Sequence, residues 1–354
     1  MRIALWNTAF LGDAVLTLPL LQSLRLSRPE ARIDLYVRNG LQDLFLPHPA
    51  VDEVFAVVKK SNAAAMLLQT KEAASRKYDL WISAHSSPRS GLIALSSRAP
   101  MRIGYSRPPI NRLFYTHRVN RCFHELDEIE RLFELLKPLD AIQLSPWPEM
   151  HLCREEEERA AAFFHSLEGP VLGLHPGSVW PTKRWPASYF AEIGRRAAEE
   201  GAHVLFFAGP GEEAIASEAL ACVRETLPPQ QLRLLHDLSG RLSLPMLAAY
   251  LKRLSCYVTN DSGPMHLAWA QRTPVTALFG PTVRKLGFFP RGDSSTVFET
   301  DLSCRPCGLH GPQKCPLGHH HCMTQLLPDT VWPDVRAKLF RPSPHPQPIP
   351  PAKP

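Results

Sequence analysis

The sequence predicts an α/β protein built from two doubly wound domains with parallel sheets, on three observations. Short apolar strands alternate with amphipathic helical stretches, and they do so twice over. Between the two series, residues 141–151 break the periodicity with Pro146, Trp147 and Pro148. At 354 residues the chain exceeds what a single core ordinarily organises. The expected division is 1–150, 151–340 and a tail, 341–354, too proline-rich to bury a core.

In the first series the strands are residues 3–6, 33–37, 54–58 and 80–83, with a helix over 14–26 after the first of them. In the second they are residues 171–175, 204–208, 256–259 and 274–279, with helices near 187–200, 212–224 and 245–253. Ligands of such sheets bind beyond the carboxyl ends of the strands. Neither Gly-x-Gly-x-x-Gly nor a P-loop stands where a strand meets a helix, which disfavours nicotinamide dehydrogenases and P-loop ATPases.

Composition describes an ordinary globular chain, 44% hydrophobic and 21% charged. The net charge of +6 is unevenly spread: from Lys59 to Arg121 there are twelve Lys or Arg and only two acids, Glu72 and Asp79. Such a stretch is either an ordinary solvated basic face or a surface for a polyanion, and without a nucleic-acid motif the second reading points to anionic lipid or a charged glycan rather than nucleic acid. The opening Met1-Arg2-Ile3-Ala4-Leu5-Trp6-Asn7 reads as a strand rather than a signal peptide, and no apolar run reaches the ~20 residues of a membrane span. A cytoplasmic protein is expected, meeting a membrane only at its cytoplasmic face.

Candidate chemistry sits at the strand ends. Asn260-Asp261-Ser262-Gly263-Pro264-Met265-His266 has the pattern strand, tight turn, helix N-terminus, which offers N–H groups and a positive dipole end to a phosphate. Asp261 is a candidate cap, Gly263 a place for a phosphate to approach the backbone, and His266, one turn inside, either a structural histidine or, beside a pyrophosphate, a donor. Some eighty residues earlier, His175-Pro176-Gly177-Ser178 ends another strand, and Lys183 follows as a candidate cation for the same pyrophosphate. Glu212 and Glu213, after the next strand, either complement a helix dipole or accept from a ribose, and spacing does not choose between them. Asp13, in Leu11-Gly12-Asp13, is either an N-cap whose turn Gly12 eases or a general base facing the cleft.

Of the eight cysteines, Cys122, Cys153, Cys222 and Cys256 read as buried small hydrophobes. Cys304, Cys307, Cys315 and Cys322 lie among His310, His319, His320 and His321. Zinc there is not favoured, because the second pair is spaced Cys-x6-Cys, and a reduced structural segment is expected.

These motifs, together with Arg102-Ile103-Gly104-Tyr105, Lys183-Arg184-Trp185-Pro186, Phe279-Gly280-Pro281-Thr282 and Cys315-Pro316-Leu317-Gly318-His319-His320, resemble glycosyltransferase family 9, the ADP-heptose:lipopolysaccharide heptosyltransferases, and most closely the type II branch. The resemblance spans roughly residues 1–340. It implies a GT-B fold, two Rossmann-like domains facing across a cleft, with the acceptor on the first and the nucleotide sugar on the second. It implies inverting, metal-independent transfer of heptose from ADP-L-glycero-D-manno-heptose to a lipid A–Kdo type anionic glycolipid, with no cofactor and with transient contact at the inner-membrane surface. Asp13 would be the base. Gly177, Ser178, Lys183, Glu212 or Glu213, Asp261, Ser262, Gly263 and His266 would hold the donor, and Gly12, Lys59, Lys60, Arg98 and Arg102 the acceptor. Ser262 stands where the family commonly has Thr and keeps the hydroxyl. Two other readings stay open: a family 9 enzyme for another nucleotide sugar or acceptor, and a nucleotide- or lipid-binding module without turnover.

Overall fold

The computed structural model describes residues 1–58, 63–140 and 142–341; Lys59, Lys60 and the proline-rich tail lie outside them. Two six-stranded parallel sheets carry the chain. The first contains β1 (Arg2–Asn7), β2 (Arg32–Arg38), β3 (Glu53–Val57), β4 (Leu80–Ser83), β5 (Met101–Tyr105) and β6 (His117–Val119) in the order β3-β2-β1-β4-β5-β6. The second contains β7 (Val171–His175), β8 (His203–Phe206), β9 (Leu235–Asp237), β10 (Cys256–Asn260), β11 (Val275–Phe279) and β12 (Ser295–Glu299) in the order β12-β11-β10-β7-β8-β9. Counted from its own first strand, each sheet runs 3-2-1-4-5-6, so each changes winding direction between its first and fourth strands. The residues beyond β1 and β4, and beyond β7 and β10, are therefore the two natural ligand-facing ends.

The helices of the first half are α1 (Leu11–Leu16), α2 (Leu18–Ser27), α3 (Ala63–Ser75), α4 (Pro88–Ser96) and α5 (Glu128–Glu134). Those of the second are α6 (Arg154–His165), α7 (Ala187–Glu199), α8 (Glu213–Thr226), α9 (Leu244–Leu251), α10 (Gly263–Ala270), α11 (His321–Thr324) and α12 (Pro328–Leu339). The central strands are buried on both faces, which explains their unbroken apolar runs. The sequence pattern offers no strand at β5, β6, β9 or β12. These lie toward the sheet edges, are short or partly exposed, and carry charged residues such as Arg102 and Arg118, so their periodicity is weak.

The single helix expected over 14–26 is two. Thr17 separates α1 from α2, and Pro19, in the first turn of α2, supplies no N–H for a continuous ladder. The Thr17 hydroxyl donates instead to the Asp13 carbonyl (2.8 Å), while the Asn7 amide, at the end of β1, reaches both of them. Asp13 is accordingly not the N-cap. Phe10 holds that position, and Asp13 lies within the first turn of α1.

From residue 142 the chain runs along α2, where the backbone N–H groups of Gln143, Ser145 and Glu149 donate to Ser27, Ser23 and Gln22. Trp147 then crosses to the second half and packs edge-on against Trp269, centroids 5.1 Å apart, beneath the Arg272 guanidinium. Of the four cysteines expected to be buried, only Cys256 is; Cys153 is exposed, because it precedes the solvent-facing start of α6.

Candidate functional site

β7 and β10 are hydrogen-bonded neighbours, with Thr259 in register with His175. Two loops eighty residues apart in sequence therefore leave the sheet side by side. Asn260, the last residue of β10, joins them: its amide donates to the carbonyls of Pro176 (2.9 Å) and Gly177 (3.2 Å), and its oxygen accepts from the Trp185 N–H (3.0 Å). That last bond fixes the end of the turn Pro181–Lys183 and with it the lysine.

Lys183 Nζ donates to Asp261 Oδ2 at 2.6 Å, and the Thr282 hydroxyl donates to the same oxygen at 2.6 Å. Both charged side chains are more than nine-tenths buried. Asp261 therefore does not cap the following helix; the N-cap of α10 is Ser262, whose side chain makes no cap bond. A carboxylate is a poor phosphate ligand, and its geometry here fits a different task, which is to hold the lysine in place. The uncapped α10 N-terminus and the lysine then border the same space.

His266, one turn into α10, is 4% exposed, and its Nδ1 has no partner among the described residues. Burial pushes its pKa down to about 4, with Lys183 adding and Asp261 opposing, so the imidazole is neutral at pH 7. Its ring edge fills the space a side chain at Gly12 would take: a Cβ there would lie 2.6 Å from Cδ2. Gly263 is the reciprocal case, since a Cβ on it would meet Leu11 at 2.9 Å. These glycines let α1 and α10 approach across the cleft. That packing task stands beside the acceptor contact expected of Gly12 and the phosphate approach expected of Gly263, since both glycines also line the cleft.

The two candidate glutamates separate. Glu212 lines the cleft with its Oε2 3.5 Å from His175 Nε2, and it occupies the space beside Gly177, where a Cβ would stand 2.2 Å from that oxygen. His175 in turn pairs through Nδ1 with the Tyr257 hydroxyl (2.9 Å). Glu213 is exposed and folds back to accept the Gly211 N–H (2.8 Å).

One cleft of ≈ 330 Å³ collects Gly12, Asp13, Ser178, Lys183, Glu212, Asp261, Ser262, Gly263 and His266 from the two halves. Its walls add Phe10, Trp180, Thr282, Leu286, Phe288 and His310. Asp13 enters from α1, partly exposed. Nearby, burial pushes the Glu128 carboxyl up, while Arg121, at 2.7 Å, pulls it back and Asp13's charge adds to the rise. Arg131 and Glu128 also clasp the second half, Arg131 donating to the Leu286 carbonyl (2.9 Å) and the Glu128 N–H to Gly287 (3.0 Å).

Arg98 and Arg102 do not join this group. Arg98 precedes β5, and Arg102 is its second residue, level through β4 with Ala4 of β1 and so at the amino ends of the strands. The Arg102 guanidinium donates to the carbonyls of Ala99 and Phe114. Lys59 and Lys60 lie outside the described residues.

The cysteine- and histidine-bearing segment 302–322 braces the lysine loop. Arg305 donates to the carbonyls of Phe279, Gly280, Thr282 and Thr300, and the Cys307 N–H to Pro281 (2.8 Å). His320 Nε2 donates to the Thr182 carbonyl (2.7 Å), and the Thr182 hydroxyl to Pro312. Its tip brings His310 parallel to Trp180 at the cleft wall, centroids 6.0 Å apart. Among the described residues no group of three or more His, Cys, Asp or Glu side chains stands close enough to hold a metal ion. The roles of Asn260, Thr282 and Arg305 were not anticipated. Thr282 and Asn260 were visible as members of their motifs, whereas Arg305 carried no local signal.

With this geometry in place, comparison with known proteins is direct. The model of glycosyltransferase family 9 (heptosyltransferase) matches residues 68–314. Lipooligosaccharide heptosyltransferase 2 of Campylobacter jejuni is 26% identical over 340 residues, 94% of this chain and 96% of the relative. Lipopolysaccharide heptosyltransferase 2 of Escherichia coli K12 is 25% identical over 367 residues, covering 96% and 99%. The crystal structure of a family 9 glycosyl transferase from Veillonella parvula superposes with a TM-score of 0.82 at 25% identity, covering 96% and 97%.

Proposed function

The chain belongs to glycosyltransferase family 9 and has the GT-B arrangement of two doubly wound halves, and from that premise we propose that it moves heptose from ADP-heptose onto the inner core of lipopolysaccharide, in the manner of its type 2 relatives. The observation that carries the proposal is the single cleft in which Asp13 of the first half faces Lys183, the α10 N-terminus and Glu212 of the second.

In this reading an acceptor hydroxyl gives its proton to the Asp13 carboxylate as its oxygen attacks the anomeric carbon. The bond from that carbon to the phosphate oxygen breaks on the opposite face, its electron pair leaves with ADP, and the anomeric configuration inverts. Negative charge grows on the departing pyrophosphate, where Lys183, the Ser178 hydroxyl and the N–H groups opening α10 receive it. Asp261 keeps Lys183 aimed, and Thr282 keeps Asp261 aimed. Neutral His266 has an N–H to give without adding another charge. Glu212 accepts from the ribose. The charge on the leaving group is met by protein groups, so transfer is expected to proceed without an added metal ion. The acceptor reading favours an inner-core glycolipid, whose carboxylates and phosphates suit the arginine-rich first half, and a transient stay at the inner-membrane surface follows from its lipid anchor.

Purified chain, ADP-heptose and a Kdo-bearing acceptor test the proposal. ADP release together with a heptosylated product is the expected result, and persistence in excess EDTA is expected too. Release with a different nucleotide sugar but not with ADP-heptose would overturn the choice of donor.

A further inference from the structure

Seven of the seventeen large apolar side chains exposed among the described residues fall between Val58 and Leu113. All but Val58 belong to three elements that cover one side of the first sheet. On their inner sides α3 and α4, with Phe114 and Tyr115 directly after the turn Pro109–Leu113, help bury an aromatic cluster around Trp6, Tyr36 and Trp81. On their outer sides they expose Leu67, Leu68, Leu92, Leu95, Ile110 and Leu113, each by 42–67%. A surface helix ordinarily shows water a polar stripe, and isolated exposed leucines need no explanation. Here exposed leucines or isoleucine recur on the outer sides of successive neighbouring elements, beside exposed Lys71, Glu72 and Arg112.

The charge of the same face is one-sided. Glu72 is paired with Arg76, and the Asp79 carboxylate accepts the Arg2 N–H, so both acids of the segment have cationic or donor partners. Lys71, Arg98, Arg107 and Arg112 have no carboxylate partner among the described residues. The face also adjoins the cleft mouth, because α4 and the turn Pro109–Leu113 both start beyond the carboxyl ends of their strands, β4 and β5.

We infer that this face of α3, α4 and the turn Pro109–Leu113 is a docking surface for an anionic phospholipid bilayer. Leucines enter the headgroup boundary while the ring of Lys and Arg meets lipid phosphates, the two contributions that hold interfacial helices on membranes. A second copy of the chain is a poorer occupant, since the face would set like charges against each other. Docked this way, the protein presents the Asp13 side of its cleft toward lipid-borne substrate. The inference rests on the lipid-anchored acceptor proposed above, but it is separable from it.

Flotation of the full chain with vesicles tests it, using phosphatidylcholine alone and phosphatidylcholine with about 30 mol% phosphatidylglycerol, an anionic surface of the kind that recruits basic proteins. The chain is expected to float with the anionic vesicles, to do so less as salt rises, and to stay behind with the neutral ones. The variant Leu67→Gln/Leu68→Gln/Leu92→Gln/Leu113→Gln is expected to lose roughly tenfold or more in partitioning, since binding scales with buried apolar area. On a water-soluble acceptor stripped of its acyl chains, that variant should transfer as well as the parent, which also shows it is folded. Equal flotation of variant and parent, or no flotation of the parent, overturns the docking surface. So does a parent that sediments as a dimer and a variant that sediments as a monomer. If no heptose is transferred by either protein while anionic vesicles still bind only the parent, the surface stands and the proposed reaction falls.

Discussion

The two halves share one strand order, and beside the switch point between its first and fourth strands they do different things. Each has an asparagine closing a central strand: the Asn7 amide on β1 donates to the Asp13 carbonyl and the Thr17 hydroxyl, and the Asn260 amide on β10 to the carbonyls of Pro176 and Gly177. Asn7 ties down only the helix that follows it. Asn260 staples two separate loops, and behind that staple Lys183, Asp261 and Thr282 form a buried, charge-matched cluster. The second half therefore presents a rigid, prearranged cation, as suits a ligand of fixed chemistry such as a diphosphate. In the first half Asp13 sits partly exposed on a six-residue helix, beside the Arg121–Glu128 pair. A carboxylate that must accept a proton is better placed at an accessible edge than in a fully buried site.

The strongest test of this contrast is Asp13→Ala. Turnover is expected to fall by roughly three orders of magnitude, the scale of a lost general base, while ADP affinity by calorimetry stays within about twofold. A large loss of ADP affinity would show that the halves do not divide the work.

Next comes Lys183→Ala, which leaves Asp261 buried without its counter-charge. A stability loss of about 3–5 kcal/mol in urea unfolding is expected, with donor affinity reduced as well. The double variant Lys183→Ala/Asp261→Asn should recover much of the stability and none of the donor affinity. Recovery of both would mean that the lysine serves only the fold.

His266 gives a smaller, pH-dependent effect. Its folded pKa is depressed to about 4, whereas an unfolded histidine titrates near 6.5. Between those values the unfolded chain takes up the proton and the folded chain does not, so stability falls as pH falls. The loss attributable to this residue approaches about 3 kcal/mol by pH 4, and the difference between the unfolding curves of the parent and His266→Gln isolates it. No pH-dependence in that difference would place the imidazole in a wetter, more accessible site than its burial indicates.

The smallest effect discriminates most finely. Glu212→Ala should raise the KM for the donor several-fold, on the order of one lost charge-assisted hydrogen bond. Glu213→Ala should leave both KM and kcat unchanged. The reverse result would move the ribose to the exposed carboxylate.

Much of this arrangement is legible in the linear chain, for reasons that individual residues make plain. The apolar runs of β1, β7 and β10 are unbroken because those strands are buried on both faces, and the motif at Asn260–His266 announces a helix N-terminus by its own residue types. Edge strands such as β6 and β9 leave little pattern, since exposure relaxes the demand for apolar side chains. The arginine density around Arg98 and Arg102 says nothing about which end of a strand a residue occupies, and only the register of β4 and β5 sets both at the amino ends. Gly12 and Gly263 carry a second task that only packing reveals, since their missing side chains make room for His266 and Leu11 of the opposite half.

The sequence alone determined the α/β alternation, the strand-end loops and the residue types that can hold a diphosphate or take a proton, because these depend on periodicity and on chemistry carried within a few residues. Only the tertiary structure decided that Lys183 is paired with Asp261 rather than standing alone, that Glu212 rather than Glu213 enters the cleft, and that the 302–322 segment braces the lysine loop through Arg305 and His320. Each of those outcomes turns on strand adjacency and on burial, and both are set by how distant parts of the chain pack together.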